Sequence, residues 1–389
     1  MAVKIVRQPK KIALIGAPSS AAAFLAGSEK APAALRKAGI VEKLQLIGYE
    51  VVDHGDCAPR LFADDDEHKR ARNLPEIVAG LNDLKTHAEI AIKSGALVMV
   101  LGGDCAQIIG LLTGARRYYR HINLLWMDRD ADLHTPATTP SGRIDGMPVA
   151  HIIGKGAPEL VRFWGEPPLV REPDVLLFGL VRVDPPEQDF LIRSPMRHMY
   201  AVDIQRKGAK ASAKDALAHL HAESREFMVH LDMDVVVPDE FPAVNVPDVS
   251  GGLTVAEAQA AFAEALKQKT LLAFDVAQYN PDKDPDGSGA AKLVNFLVDA
   301  LKARLDFLSE VPSEPAPNEA SATAPAAEEP AASAGPAEPG APEKPVEETP
   351  AAPEPEPEPE LPAPSEDKPE LPDTNPEPKP EAGSEPESQ

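Results

Sequence analysis

Two groups of aspartates carry the clearest chemistry in this sequence. Asp128, Asp130 and Asp132 alternate in one stretch, and Asp232 and Asp234 alternate in another. While a chain stays extended, alternate side chains point to one side, so each group presents its carboxylates together. Gly102-Gly103-Asp104-Cys105 and Asp275 add further acidic positions. Five convergent carboxylates are enough for two divalent ions with bridging ligands, and oxygen-rich sets suit Mn²⁺ or Mg²⁺. A single DxD pair is weak, because acids also cap helices and fill turns. Two such groups, beside a GGDC stretch, make a stronger signal.

These acids need elements to position them. Short apolar runs predict strands at Ile12–Ile15, Leu97–Leu101, Ile122–Trp126, Val175–Phe178, Phe227–Leu231 and Leu271–Phe274. Helices are predicted between them at Ala31–Ala38, Pro75–Ser94, Val255–Lys267 and Ala290–Leu308. The third starts with Thr254-Val255-Ala256-Glu257, a capping-box pattern. This alternation predicts an α/β fold, a mainly parallel sheet between two helical layers. Four of the strands run into acids, at Asp104, Asp128, Asp232 and Asp275. In an open parallel sheet ligands bind beyond the carboxyl ends of the strands. So much negative charge on one rim calls for bound cations.

Charge and composition divide the chain. Residues 311–389 hold 22 of its 42 prolines and 20 acids against 3 lysines, which accounts for −17 of the total −23. This segment is expected to be a disordered, extended Pro/Glu/Ala-rich tail, a solubilising tether or a docking segment for an unknown partner. Residues 1–310 are expected to form one domain. An acidic chain is a poor binder of nucleic acid or of anionic membranes. No run of 18 apolar residues predicts a transmembrane helix. Cys57 and Cys105 leave room for at most one disulfide. Lys10 and Lys11 precede the small, apolar run Ile12–Gly27, but Pro18, Ser19 and Ser20 interrupt it, so a buried strand followed by a loop is expected there and a cytoplasmic location is the default.

The motifs, taken in order, resemble those of the ureohydrolase superfamily: arginase, agmatinase and formiminoglutamase. Ile15-Gly16-Ala17-Pro18 and Gly27–Arg36 resemble its opening strand, loop and first helix, and Asp53-His54-Gly55-Asp56 its D-x-G-D turn. Leu101–Asp104 matches the start of LGGDHS, and Asp128–Asp132 falls on D-A-H-x-D. Thr135-Pro136 and Thr138–Gly142 fall on TP…TTxSG, Asp232-Met233-Asp234 on D-x-D, and Gly251–Thr254 on GGLT. The resemblance implies an arginase-like αβα sandwich with two Mn²⁺ ions and a bridging hydroxide that attacks a guanidino or formimino carbon. It implies that Asp128 and Asp232 bridge both metals, with Asp132 on the first and Asp234 on the second. Asp184 and Ser141 match contacts to the amino and carboxylate ends of an amino-acid substrate. Homo-trimers or hexamers are implied as well.

The departures bear on the same site. Cys105 and Asp130 stand where the superfamily places its two ligand histidines, and Asp145 stands in place of the histidine assigned to proton shuttling. Gln278 replaces a glutamate that clamps the guanidinium, His134 an asparagine near the substrate carboxylate, and Val246 a nearby threonine. Five carboxylates make the site one charge more negative, or two with Cys105 as thiolate, which raises the pKa of bridging water. A Cys105 thiolate would favour a softer ion such as Zn²⁺ or Fe²⁺. Gln278 removes a charge-assisted partner, so a substrate that is neutral, or cationic elsewhere, suits it better. Two readings follow: a metal-dependent amidine hydrolase with altered substrate preference, and a ureohydrolase-fold pseudoenzyme that binds without turnover.

Overall fold

The computed structural model describes residues 5–245 and 250–310, all within the first of the chain's two units, Met1–Ala316. Val246 and the expected tail at 311–389 lie outside the described residues. Eight strands form one sheet: β1 (Gln8–Ala17), β2 (Glu50–Asp56), β3 (Ala96–Gly102), β4 (Asn123–Met127), β5 (Val175–Leu180), β6 (Arg197–Tyr200), β7 (Phe227–Asp232) and β8 (Leu271–Ala277). Their order is β2-β1-β3-β8-β7-β4-β5-β6, and every neighbouring pair is parallel. β3 and β4 are consecutive in the chain, yet β8 and β7 stand between them. A break of this kind in the strand order is where open α/β sheets form their binding crevice.

Helices cover both faces: α1 (Ala31–Lys37), α2 (Ile40–Leu46), α3 (Leu74–Lys93), α4 (Gln107–Arg116), α5 (Pro148–Ile152), α6 (Pro158–Val161), α7 (Pro185–Arg193), α8 (Ala201–Lys207), α9 (Ala209–His219), α10 (Val255–Leu266) and α11 (Ser288–Glu310). Successive strand residues divide between two cores. Ile12, Leu14, Met99 and Leu101 join Phe262 of α10 and Leu297 of α11, whereas Ala13, Ile15, Val98 and Val100 join Leu81 of α3 and Ile109 of α4. With both faces buried, a strand needs an unbroken apolar run, which is why the central strands were legible.

The six predicted strands and four predicted helices are all present. The two strands not predicted, β2 and β6, sit at the sheet edges, where polar residues such as Glu50, Asp53 and Arg197 break the apolar pattern. Asp53–Asp56, expected as a turn, belongs to β2, and Arg36 of α1 holds the Asp53 carboxylate at 2.8 and 2.9 Å. Both cysteines are free thiols. Among the described residues no helix is long and apolar enough to cross a membrane.

The α10 start follows the capping pattern. Thr254 Oγ1 accepts from Glu257 N–H at 3.2 Å, and Glu257 Oε2 accepts from Thr254 N–H at 2.9 Å. Thr254→Ala should therefore cost about 1 kcal/mol. The urea midpoint would fall with an unchanged slope, and an unchanged midpoint would show that water replaces the cap.

Candidate metal centre

The acids converge through turns rather than continued strands. β4 ends at Met127, and Asp128 Oδ1 accepts the Asp130 N–H at 2.7 Å. β7 ends at Asp232, whose Oδ1 accepts the Asp234 N–H, also at 2.7 Å, at the start of the 3₁₀ turn Met233–Val235. In each DxD the first aspartate spends one oxygen turning the chain, while its Oδ2 accepts from Trp126 Nε1 at 3.1 Å in Asp128 and from Cys105 Sγ at 2.9 Å in Asp232. Two of the four expected rim acids are placed otherwise. Asp104 Oδ2 accepts from Ser19 Oγ at 2.5 Å and Ala22 N–H at 3.2 Å, which fastens the β1 loop. Asp275 lies within β8, because that strand continues to Ala277, and its Oδ2 pairs with His230 Nδ1 at 2.8 Å.

Around this rim the side chains interlock. Cys105 Sγ donates to Asp232 Oδ2 at 2.9 Å, and the Cys105 N–H donates to Asp145 Oδ1 at 2.8 Å. Gln278 Nε2 donates to Asp145 Oδ2 at 2.6 Å and reaches Cys105 Sγ at 3.3 Å. Asp132 and Gln278 adopt φ of 51° and 66°, uncommon for residues with a side chain and costly enough to suggest functional placement. Arg129, almost wholly buried, brings Nη2 to 3.4 Å from Asp234 Oδ2. Arg182 Nη2 donates to Asp130 Oδ2 at 2.7 Å.

The two guanidiniums do not neutralise the cluster. Burial, reinforced by neighbouring carboxylates, holds Asp128, Asp132 and Asp232 well above the ordinary carboxylate range. Burial and Asp234 push Asp130 up to about 7 against the opposing pull of Arg182 and Arg129. Burial and the Asp104 carboxylate likewise push Asp145 up to about 7. The Cys105 thiol is pushed well above its usual value by burial, then by Asp232 and Asp145. Asp130 Oδ1 and Asp234 Oδ1 are buried with no hydrogen-bond partner. Buried, unpartnered oxygens among acids raised in this way are the marks of a site built around a cation.

Donor geometry tests which ions fit. One donor atom each from Cys105, Asp128, His230 and Asp232 lies within 4.8 Å of the others, and the same holds for Asp128, Asp130 and Asp234. The first set has no guanidinium bonded to it and fits a divalent ion. The second offers free oxygens, but Arg129 and Arg182 already pair with Asp234 and Asp130. Asp132 belongs to neither close group and lines the adjoining cleft.

That cleft gathers Asp130, Asp132, His134, Ser141, Arg182 and Asp184. His134 Nε2 pairs with Asp184 Oδ2 at 2.9 Å, and its Nδ1 lies 3.2 Å from Thr138 Oγ1. Asp184 also caps α7, where Glu187 completes a capping box and Glu187 Oε1 accepts the Leu133 N–H at 2.9 Å. The α7 start and the Asp132–His134 segment are thereby tied together. Gln278 and Asp145 sit behind the cluster, bonded to Cys105, rather than on the cleft wall.

Three participants escaped the sequence reading: His230, Arg129 and Arg182. His230 could have been found from its position two residues before Asp232, which puts both on one face of β7. Arg129 stands at the motif position where D-A-H-x-D has alanine. No local pattern singles out Arg182, because only the tertiary approach of the β4 and β5 ends pairs it with Asp130.

A family model described as the arginase family matches residues 10–302. The arginase of Bacillus caldovelox is 29% identical over 74% of this chain and 97% of its own length. Arginase-1 of Rattus norvegicus is 31% identical over 75% of this chain and 91% of its length. The crystal structure of arginase from Bacillus cereus superposes with a TM-score of 0.67 at 29% identity, covering 75% of this chain and 98% of that one.

Proposed function

The chain belongs to the arginase family, and from that premise we propose that it is a metal-dependent hydrolase of linear amidine C–N bonds, guanidino or formimino, with a preference shifted away from arginine. One observation carries this reading: Asp130 and Asp132 belong both to the buried acidic cluster and to the wall of a cleft that a small molecule can enter. A divalent ion held at such a place acidifies water and polarises the carbon to be attacked. Asp128 and Asp232 would hold it with Cys105, and Asp132, outside the close donor groups, would reach it from the cleft side by a side-chain movement. Asp130 and Asp234 would serve the second of the two ions that the family implies, in competition with Arg182 and Arg129.

The remaining residues divide between proton handling and recognition. Asp145, held near a pKa of 7, carries a proton at neutral pH more readily than an ordinary carboxylate and suits a proton carrier. Ser141 and the His134–Asp184 pair would bind the far end of the substrate. Gln278 is uncharged and already donates to Asp145, so it offers a guanidinium no ionic clamp. The Arg182 guanidinium lines the same cleft and, paired with Asp130, occupies a carboxylate that could otherwise meet a substrate cation. Both features favour an amidine that is neutral, or cationic away from the reacting carbon. As in the family, trimers or hexamers are the proposed assembly, which light scattering on the full chain would check.

Arg129 favours a second reading, a protein that keeps the fold and binds without turnover, because a buried guanidinium beside Asp234 can supply the charge of an ion but not its chemistry. Metal content of protein purified without chelator, followed by urea or ammonia release from a panel of amidines, separates the two. The hydrolase reading expects about one or more divalent ions per chain and turnover on at least one amidine, with arginine poor. Bound metal without turnover across guanidino and formimino compounds would leave the binding protein. Asp145→Asn should lower kcat about 100-fold or more and flatten the limb of the pH–rate profile near neutrality. A profile unchanged in shape would remove Asp145 from the proton path.

A further inference from the structure

His230 is the buried group that the reading above leaves without a task. It has no exposed surface, its ring stacks on Trp126 with centroids 3.7 Å apart and planes 17° apart, and Nδ1 meets the Asp275 carboxylate at 2.8 Å. Register explains this. Trp126 of β4, His230 of β7 and Asp275 of β8 are lateral neighbours across three adjacent strands. Gln107 of α4 holds Asp275 in turn, at 2.8 Å. A carboxylate accepting from Nδ1 makes that nitrogen the protonated one and leaves Nε2 with its lone pair. His230 Nε2 has no hydrogen-bond partner, and a buried polar atom left so costs about 1–3 kcal/mol. A histidine oriented by a carboxylate, with its other nitrogen open, is the arrangement of metal-ligating histidines.

Its neighbours complete a donor set. Two residues further along β7 comes Asp232, two residues beyond Trp126 comes Asp128, and Cys105 Sγ already lies 2.9 Å from Asp232 Oδ2. One donor atom of each, for His230 one of its two ring nitrogens, lies within 4.8 Å of the others. A tetrahedral ion with bonds of about 2.0–2.3 Å needs donors roughly 3.3–3.8 Å apart, so small side-chain movements suffice. Sulfur and nitrogen beside two oxygens suit a zinc-class ion more than manganese.

We infer that this chain holds one zinc-class divalent ion through Cys105 Sγ, His230 Nε2 and one oxygen each of Asp128 and Asp232, while Arg129 faces Asp234 in place of a second ion. The imidazole comes from within β7 and replaces those absent at positions 105 and 130. On binding, the Cys105 proton leaves to solvent and the sulfur lone pair goes to the ion. The inference rests on the metal-dependent reading proposed above.

The test uses the full chain, stripped with chelator and titrated with Co²⁺ and Zn²⁺. One equivalent of Co²⁺ should bind with a near-ultraviolet thiolate-to-metal band, and Cys105→Ser should abolish that band. His230→Ala should weaken Zn²⁺ binding about 100-fold or more, and Asp275→Asn, which loosens the ring without removing it, about 10- to 100-fold. If His230→Ala does not fold, the other two variants still decide the matter. Two equivalents without a thiolate band, with Asp275→Asn binding as tightly as the parent, would overturn the one-ion site and leave the hydrolase reading intact. Absence of any bound divalent ion would overturn both.

Discussion

Asp232→Asn should lower amidine turnover by at least about 10³-fold and abolish binding of the divalent ion proposed at this centre. Losing ion-based charge stabilisation removes several kcal/mol from the barrier, and each 1.4 kcal/mol is about tenfold in rate. Asparagine makes the test specific. Its amide oxygen can still accept the Asp234 N–H, now bonded to Asp232 Oδ1 at 2.7 Å, so the turn after β7 survives. Its amide nitrogen takes the place of Oδ2, the atom that meets Cys105 Sγ at 2.9 Å. That nitrogen has no anionic lone pair to offer an ion. Circular dichroism should match the parent while metal content falls. A variant that retains both metal and turnover would remove Asp232 from the centre, and with it the assignment of the whole rim.

The second large effect concerns acid and base. In the metal-free protein, stability should fall steadily from about pH 5 to about pH 8. Asp130 and Asp145 titrate near 7 in the folded chain, against about 4 once unfolded. Between those values the unfolded chain has released protons that the folded chain keeps, so raising the pH favours unfolding. The stabilisation is complete below the unfolded pKa and gone above the folded one. Asp128, Asp132 and Asp232 act in the same direction. The sum is several kcal/mol, which should lower Tm by roughly 10 °C over this range. Saturating divalent ion should reverse the trend, since it binds the ionised carboxylates of the folded state alone and adds about 2.7 kcal/mol at 100 times its Kd. Thermal melts of stripped and loaded protein at several pH values read this directly. A stripped protein that grows more stable from pH 5 to 8 would mean that Arg129 and Arg182 satisfy the cluster by themselves.

Much of the architecture was legible because its cause is local. A strand buried on both faces must be apolar throughout, and Leu97–Leu101 and Phe227–Leu231 declare themselves for that reason. The Thr254–Glu257 cap is likewise written in four consecutive residues. Edge strands obey no such rule, so Asp53–Asp56, the end of β2, passed for a turn. Asp275 passed for a rim acid because the apolar run stops before it, while the backbone ladder carries β8 two residues further.

For the site, the sequence alone determined which residue types are available to it: the two DxD groups, Cys105, Asp145 and Gln278, and the absence of the expected histidines. Only the tertiary structure decided what surrounds them. It brought Arg129 against Asp234 and Arg182 against Asp130, and it set Nε2 of His230 free by fastening Nδ1 to Asp275, 45 residues away. Which carboxylate meets a cation, and which nitrogen keeps its lone pair, depends on contacts across strands β4, β5, β7 and β8. Strand order and register create those contacts, and neither quantity is carried by any short stretch of chain.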